Sequence, residues 1–176
     1  RHDSLAFTPP PGAWIDLAVF AEGLRRGRDP LGRIDPRELA RAVEAYGGDF
    51  LAGFWLPGGG GFEEWLLAEQ ERWREAAVAA LGDLVEHHLR HGAHGLGIQY
   101  ANRLQAIEPL AEEPHRQLMR LYALSGRRSR AVAVYESLRR LLAAELEVAP
   151  MPETTLLYRR ILAQELAPAA VEVPAA

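Results

Sequence analysis

The chain has 176 residues, of which 48% are hydrophobic and 25% charged, an ordinary composition for one globular domain or a domain with an added subdomain. It contains no cysteine, which excludes disulfides, thiolate metal sites and thiol nucleophiles. All 20 basic residues are arginine, so a Walker phosphate loop and a lysine general base are excluded too. The net charge of −4 does not favour a stand-alone nucleic-acid-binding protein, and no apolar run is long enough to span a membrane.

Seven helices are predicted along the chain from caps, breakers and apolar periodicity. Asp16 is the expected N-cap of the first helix, and the second opens with Asp35 as N-cap followed by Pro36. A long helix is predicted at 62–91, and further helices at about 94–106, 112–125, 128–146 and 153–166. Because strand content is minimal, the fold class is all-α.

Three segments lie outside this helical pattern. Residues 1–13 are extended in character, and since a lone strand cannot pair with itself, its partner strands are expected upstream of this chain. The aromatic-rich stretch at 49–61 ends in a run of four glycines at 58–61, which we interpret as a flexible loop because no Lys, Ser or Thr follows to bind a phosphate. The tail at 167–176 is expected to be a linker or a loose end.

A shift of 34 residues superimposes the second half of the chain on itself. The paired positions are Leu84 with Leu118, His88 with Tyr122, Gly92 with Gly126, Gly97 with Ala131, and Leu104 with Leu138. This is the period of the tetratricopeptide (TPR) helix–turn–helix unit. We therefore expect stacked hairpins with tight turns at Gly92 and Gly126 and close helix crossings at Gly97 and Ala131. An irregular helical bundle with coincidental spacing is the alternative.

Several segments, in order along the chain, resemble one family. They are WIDLAVF at 14–20, YGGDFLAGF at 46–54, FEEWL at 62–66, HRQLMRLY at 115–122, Tyr135-Glu136, and EVAPMPET at 147–154. Together they are similar to the bacterial transcriptional activator domain of transcription factors of the antibiotic-regulatory-protein (SARP) type. The resemblance implies a TPR-like array of about seven helices that follows an OmpR-type winged-helix DNA-binding domain.

The resemblance also implies a division of the chain. Residues 1–13 would be the end of the upstream winged-helix domain or a linker, 14–166 the activator domain, and 167–176 an Ala/Pro-rich tail. Proteins of this type bind promoter DNA through the upstream domain and recruit RNA polymerase. Met151 departs from the family pattern, because a Ser or Thr helix cap usually stands there.

Charge distribution indicates a partner-binding surface. Residues 62–113 carry ten acidic residues and four arginines, whereas 115–160 carry nine arginines and four acidic residues. The first helix of each unit lines the concave face of a TPR-like array. Arg116 and Arg120 would therefore form a two-pronged clamp for a carboxylate, with Arg90 supplied by the first unit. The alternative is that these charges are solvated or pair within the molecule.

Among the aromatic residues of the loop and the helix after it, Phe50, Phe62 and Trp65 are expected in the core. Trp55, beside a proline and the glycines, is expected to be exposed and is a candidate anchor for a partner.

Two basic groups carry plainer interpretations. His87 and His91 share a helix face and could grip a metal ion with His94, but no further ligand completes the set, so a solvated helix end is preferred. The arginines at 127, 128 and 130 follow the turn at Gly126 and could touch DNA phosphates, although a solvated turn is preferred.

The sequence therefore favours a non-catalytic regulatory module of a bacterial transcription factor that works in the cytoplasm through protein–protein contacts. The expected partners are RNA polymerase, an adjoining sensor domain, or a second copy in a homodimer. DNA would be reached through the upstream domain, and no membrane, metal or cofactor is expected. An enzyme is disfavoured because no nucleophile–base pair or cluster of catalytic carboxylates is visible. The alternative function is a general TPR-like scaffold that binds peptides outside transcription.

Overall fold

The computed structural model describes residues 8–10, 12–55 and 60–166, and this part of the chain contains seven α-helices. They are α1 Asp16–Arg26, α2 Pro36–Ala45, α3 Gly60–Arg90, α4 His94–Ile107, α5 Glu112–Leu124, α6 Arg128–Glu145 and α7 Pro152–Leu162. Within these ranges, extended backbone pairs at one isolated bridge, between Arg28 and Ile34. The all-α expectation is confirmed. The expected tail at 167–176 lies outside the described residues, as does most of the extended segment at 1–13.

The first compact unit is residues 1–48, in which α1 crosses α2 closely at Gly23. A Cβ atom on Gly23 would lie 2.7 Å from Ala42 Cβ and 3.0 Å from Ala42 Cα. The buried ring of Phe20 packs at 5.3 Å from the ring of Tyr46. The lack of a side chain at Gly23 therefore sets how near the two helices approach.

The two helices of this unit begin differently. Asp35 caps α2 as predicted, because its side chain accepts hydrogen bonds from the backbone N–H groups of Arg37 and Glu38. The predicted cap of α1 is wrong. Asp16 is the first helical residue, and Ile15 occupies the N-cap position without a side-chain hydrogen bond. The Asp16 carboxylate still lies in the first turn, where the helix dipole favours a negative charge.

The second compact unit is residues 49–176, in which α3 pairs with α4 and α5 with α6 before α7. The two hairpin turns are alike. Gly92 and Gly126 have φ angles of 69° and 74°, in the left-handed region that glycine adopts readily. The hydrogen bonds that close the turns run from Ala93 N–H to the His88 carbonyl, at 2.9 Å, and from Arg127 N–H to the Tyr122 carbonyl, at 2.8 Å. The 34-residue repeat is thus confirmed, because equivalent hydrogen bonds close the two turns.

The C-terminal end of α7 repeats this turn chemistry a third time. Glu165 donates its N–H to the carbonyl of Arg160 at 3.0 Å, and Gln164 takes the left-handed position with a φ of 60°. Therefore α7 ends like the first helix of a further repeat, and it packs on the second hairpin.

Small residues lie at the helix crossings, as the repeat predicts. A Cβ atom on Gly97 would lie 2.7 Å from Leu121 Cδ2 and 3.5 Å from His88 Cβ, so α4 contacts both its hairpin partner and α5 at this point. Ala131, the equivalent residue in the second hairpin, is fully buried.

Two hydrophobic clusters share α5. Leu118 and Leu121 of α5 join the first cluster, together with Val85, Ile98 and Ala101 of the first hairpin. Met119 and Ala123 join the second, together with Ala131, Tyr135, Leu157 and Ile161. Since α5 contributes to both, the two hairpins and α7 form one continuous core.

We expect Gly23→Ala to destabilise the first unit by about 1–3 kcal/mol, because the added methyl meets the backbone of α2 and overpacks the crossing. That cost exceeds the gain of at most about 1 kcal/mol from replacing a helical glycine. Urea unfolding followed by circular dichroism measures the change.

The control for this substitution is Gly82→Ala in α3, where a Cβ atom would meet nothing within 4 Å. It should raise stability by up to about 1 kcal/mol. A Gly23→Ala variant as stable as the parent would contradict the close crossing.

Candidate partner-binding surface

Arg116 is held within the molecule by two neighbours. Its side chain is 17% exposed. It donates to a Glu113 carboxylate oxygen at 2.7 Å and to the Thr154 hydroxyl of α7 at 2.9 Å. A carboxylate of Glu112 lies 4.0 Å away. Most of the donor capacity of this guanidinium is therefore already used.

Arg120 lies one turn further along α5 and is the freer of the two. Its side chain is 41% exposed, and its guanidinium lies 3.6 Å from the other carboxylate oxygen of Glu113. The structure thus brings Arg116 and Arg120 together around Glu113, which occupies the place that an external carboxylate would take.

The other two candidates lie far apart. Arg90 is 62% exposed and lies 3.4 Å from Glu86 at the C-terminal end of α3. Trp55 is 69% exposed, as expected, in the loop that precedes the other end of this helix. Its neighbour Phe54 stacks edge-on with Phe62 at 5.7 Å. At 1.5 Å per residue, about 45 Å of helix separates this loop from Arg90, so Trp55 and Arg90 lie on different surfaces.

The expectation that Trp65 lies in the core is wrong. Its side chain is 48% exposed, and its ring contacts those of Phe50 and Phe62 at 6.0 and 5.5 Å. Phe50 and Phe62 are half-buried. The reason is the difference in helix length, since α3 has 31 residues and α4 only 14, so the hairpin partner does not reach the first turns of α3.

Glu112 has a structural role that the sequence did not reveal. Its side chain is 8% exposed. Its two carboxylate oxygens accept the backbone N–H of Met151 at 2.9 and 3.1 Å. Met151 is the N-cap of α7 and makes no side-chain cap of its own. A carboxylate from α5 therefore supplies half of what a capping box supplies locally, across the interface between two helices.

His115 is buried beside this network with both ring nitrogens hydrogen-bonded. Nδ1 lies 2.9 Å from the carbonyl of Ala111, to which it donates, and Nε2 lies 2.8 Å from Nε2 of Gln105, from which it accepts. Burial lowers the pKa of His115, and this outweighs the Ala111 hydrogen bond and the Glu112 charge, which raise it. The folded state therefore favours the neutral imidazole.

The histidines near the end of α3 stack on one another and on an aromatic ring. The rings of His87 and His91 are 4.1 Å apart, and His88 stacks on Tyr100 at 5.5 Å. Burial lowers the pKa of both His87 and His88, helped by repulsion from neighbouring basic groups. Among the described residues, no group of three or more histidine, aspartate or glutamate side chains is arranged to hold a metal ion, and no helix is long and apolar enough to cross a membrane.

The fold is an array of helical hairpins, and comparison with known families identifies the class of protein to which the chain belongs. Residues 15–162 match the family described as the bacterial transcriptional activator domain, and the chain belongs to that family. The resemblance to regulators of the SARP type is thereby confirmed, and the chain is a domain of transcriptional regulators.

Two similar curated proteins are regulatory proteins from Streptomyces. AfsR of Streptomyces coelicolor is 35% identical over 161 residues, which cover 92% of this chain and 15% of that protein. AfsR of Streptomyces griseus is 37% identical over 148 residues, or 84% of this chain and 14% of that protein. The chain thus spans only a small part of the length of these relatives.

A solved structure shares the fold. It is that of Mycobacterium tuberculosis EmbR in complex with a low-affinity phosphopeptide, with a TM-score of 0.61 and 24% sequence identity. The match covers 88% of this chain and 38% of that one. At this identity the likeness shows a common TPR-like helical architecture and nothing further.

Glu112→Ala should loosen α7 from α5 and lower the free energy of unfolding by about 1–2 kcal/mol, because it leaves the Met151 N–H without its charged acceptor. The matched control is Glu113→Ala, which removes a 49%-exposed carboxylate from the same helical turn and should cost much less. Thermal unfolding of both variants measures the difference. Equal losses would contradict the role of Glu112 as a cap.

Stability should fall as the pH is lowered through the range where histidine titrates. The lowered pKa of His115 means that the folded state binds fewer protons than the unfolded chain, so its contribution is present above about 6.5 and is lost as the pH falls through the folded-state value. When the melting temperature is plotted against pH between 7.5 and 5, its slope should be shallower for the His115→Asn variant than for the parent. Burial also lowers the pKa of His87 and His88, so the difference in slope between variant and parent is the measure, and equal slopes would contradict the assignment.

Proposed function

We propose that this chain is the regulatory and protein-binding domain of a bacterial transcription regulator whose DNA-recognition domain, a winged helix, lies upstream. The observation that carries this proposal is the family match over residues 15–162. The relatives are far longer than this chain, which leaves room in such proteins for a reader domain and for sensor domains. The chain would act in the cytoplasm without catalysing a reaction.

Protein contact is the means of regulation in this proposal. Helical-hairpin arrays present extended surfaces suited to other macromolecules. The structural neighbour EmbR was solved with a phosphopeptide, so at least one regulator that contains this fold binds a peptide. RNA polymerase, an adjoining sensor domain and a second copy of the chain remain the proposed partners.

The α5 face is the proposed docking point for an acidic or carboxylate-bearing segment. Arg120 would be the main contact, because Arg116 is mostly buried and already donates to Thr154. An incoming carboxylate would displace Glu113 from the two guanidiniums and take over its hydrogen bonds. Arg90 and Trp55 would contact other parts of a partner or different partners.

In the full-length regulator, Arg120→Gln should lower activation of a target-promoter reporter about fivefold, the loss expected when one charge-assisted contact is removed. Glu113→Gln should raise it, since that substitution removes the internal competitor. Arg139→Gln is the control, because Arg139 is an exposed arginine on α6 that pairs only with Glu136 among the described contacts. Full activation of the reporter by the Arg120→Gln variant would contradict the proposal that a partner docks on α5.

The assignment to transcription has its own test. A winged-helix domain encoded before Arg1 in the full-length protein supports it. The absence of any DNA-binding domain would favour a peptide-binding scaffold outside transcription.

A further inference from the structure

The charges of the second unit separate according to the end of the helices on which they lie. The hairpin turns and their flanks, at 87–98 and 124–131, hold arginines and histidines and no acidic residue. The connections between hairpins and before α7, at 105–115 and 143–153, hold six glutamates and no arginine. The described part of this unit therefore carries an excess of basic residues at one end of the helices and an excess of acidic residues at the other.

Contacts between the helices place the basic segments on a common edge. Arg128, at the start of α6, donates to the carbonyls of Ile161, at 3.0 Å, and Leu162 at the end of α7. Gly97, at the start of α4, meets Leu121 near the end of α5. We call this the basic edge. It comprises Arg90, Arg127, Arg128, Arg130, Arg159 and Arg160.

Much of the positive charge on the basic edge is not neutralised. Arg90 and Arg160 each lie 3.4 Å from a glutamate oxygen. Arg127, Arg130 and Arg159 are exposed and form no ion pair with any described residue. Arg128 bonds only to carbonyls and keeps its charge. The net charge of −4 thus conceals a local excess of positive charge.

We propose that the basic edge binds the phosphodiester backbone of duplex DNA. Guanidinium groups form paired hydrogen bonds with phosphate oxygens, and a row of them on adjacent helices, spaced by about 10 Å, suits a linear polyanion. The buried centre of a protein–protein interface is enriched in aromatic residues, but the exposed aromatic side chains of the described chain, Trp14, Phe54, Trp55 and Trp65, lie elsewhere in the sequence, which favours DNA over a protein partner.

Such a contact carries no sequence specificity and is weak when it acts alone. The proposal rests on the proposed function in one respect, which is that an upstream DNA-binding domain (the reader domain) would keep promoter DNA close to the basic edge. Tethering then raises the effective concentration of phosphate at the basic edge, so a weak contact adds to the affinity of the whole regulator.

Fluorescence anisotropy of the 176-residue chain with a labelled duplex of random sequence tests the proposal, between about 25 and 150 mM salt. The double variant Arg127→Gln, Arg130→Gln should bind about tenfold more weakly at the lowest salt, and the slope of log K against log salt should fall by about 2. Arg128 is left in place because it bonds to α7. The matched control, Arg139→Gln with Arg140→Gln, changes two exposed arginines of the same helix away from the basic edge. Circular dichroism checks that both variants are folded.

Each outcome decides the proposal. Weaker DNA binding by the Arg127→Gln, Arg130→Gln variant (the turn variant), but not by the matched control, supports the proposal. Equal binding by the turn variant and the parent overturns it, as does the absence of any binding at about 25 mM salt. Tighter binding to polyglutamate than to DNA of similar total charge would overturn it in favour of an acidic protein partner. Since the assay contains neither a promoter nor a reader domain, its result is independent of the reporter experiment on the full-length regulator.

Discussion

The burial of α5 between two hydrophobic clusters is the constraint on which the rest of the second unit depends. Seven of its 13 residues are buried, because one side packs on the first hairpin and another on α6 and α7. Four of the six remaining positions are charged, and of these Glu113 and Arg120 are the ones that are well exposed. The candidate surface is therefore limited to the side chains of α5 that do not pack in the hydrophobic core.

The same constraint explains why some of these charges stabilise the fold. Thr154 is fully buried, and Arg116 supplies the hydrogen bond that its hydroxyl needs. Glu112 is nearly buried and satisfies the Met151 N–H, which would otherwise be an orphan at a helix start. Two polar groups on one turn of α5 thus anchor α7, while Glu113 and Arg120, which are more exposed, remain exchangeable with solvent or a partner.

The features that followed from the sequence are those encoded in nearest neighbours along the chain. Gly92 and Gly126 marked the hairpin turns because left-handed backbone is costly for other residues. Asp35 marked a helix start because a carboxylate can accept N–H groups two and three residues ahead. The 34-residue period then determined which residues occupy equivalent positions, including Gly97 and Ala131 at the crossings. The third turn, at Gln164, does not follow from the sequence in the same way, because glutamine, unlike glycine, does not indicate a left-handed backbone.

Features that depend on contacts between distant residues required the folded chain. The spacing of Arg116 and Arg120 predicted that both lie on one helix face, but Arg116 bonds to Thr154, which is 38 residues away. Trp65 has the pattern of a core residue, and its exposure follows from the unequal lengths of α3 and α4. The basic residues of three separate turns become one edge only when the hairpins stack. Local spacing specifies the faces of each helix, whereas burial and charge pairing depend on which helix lies against that face, and this is a property of packing alone.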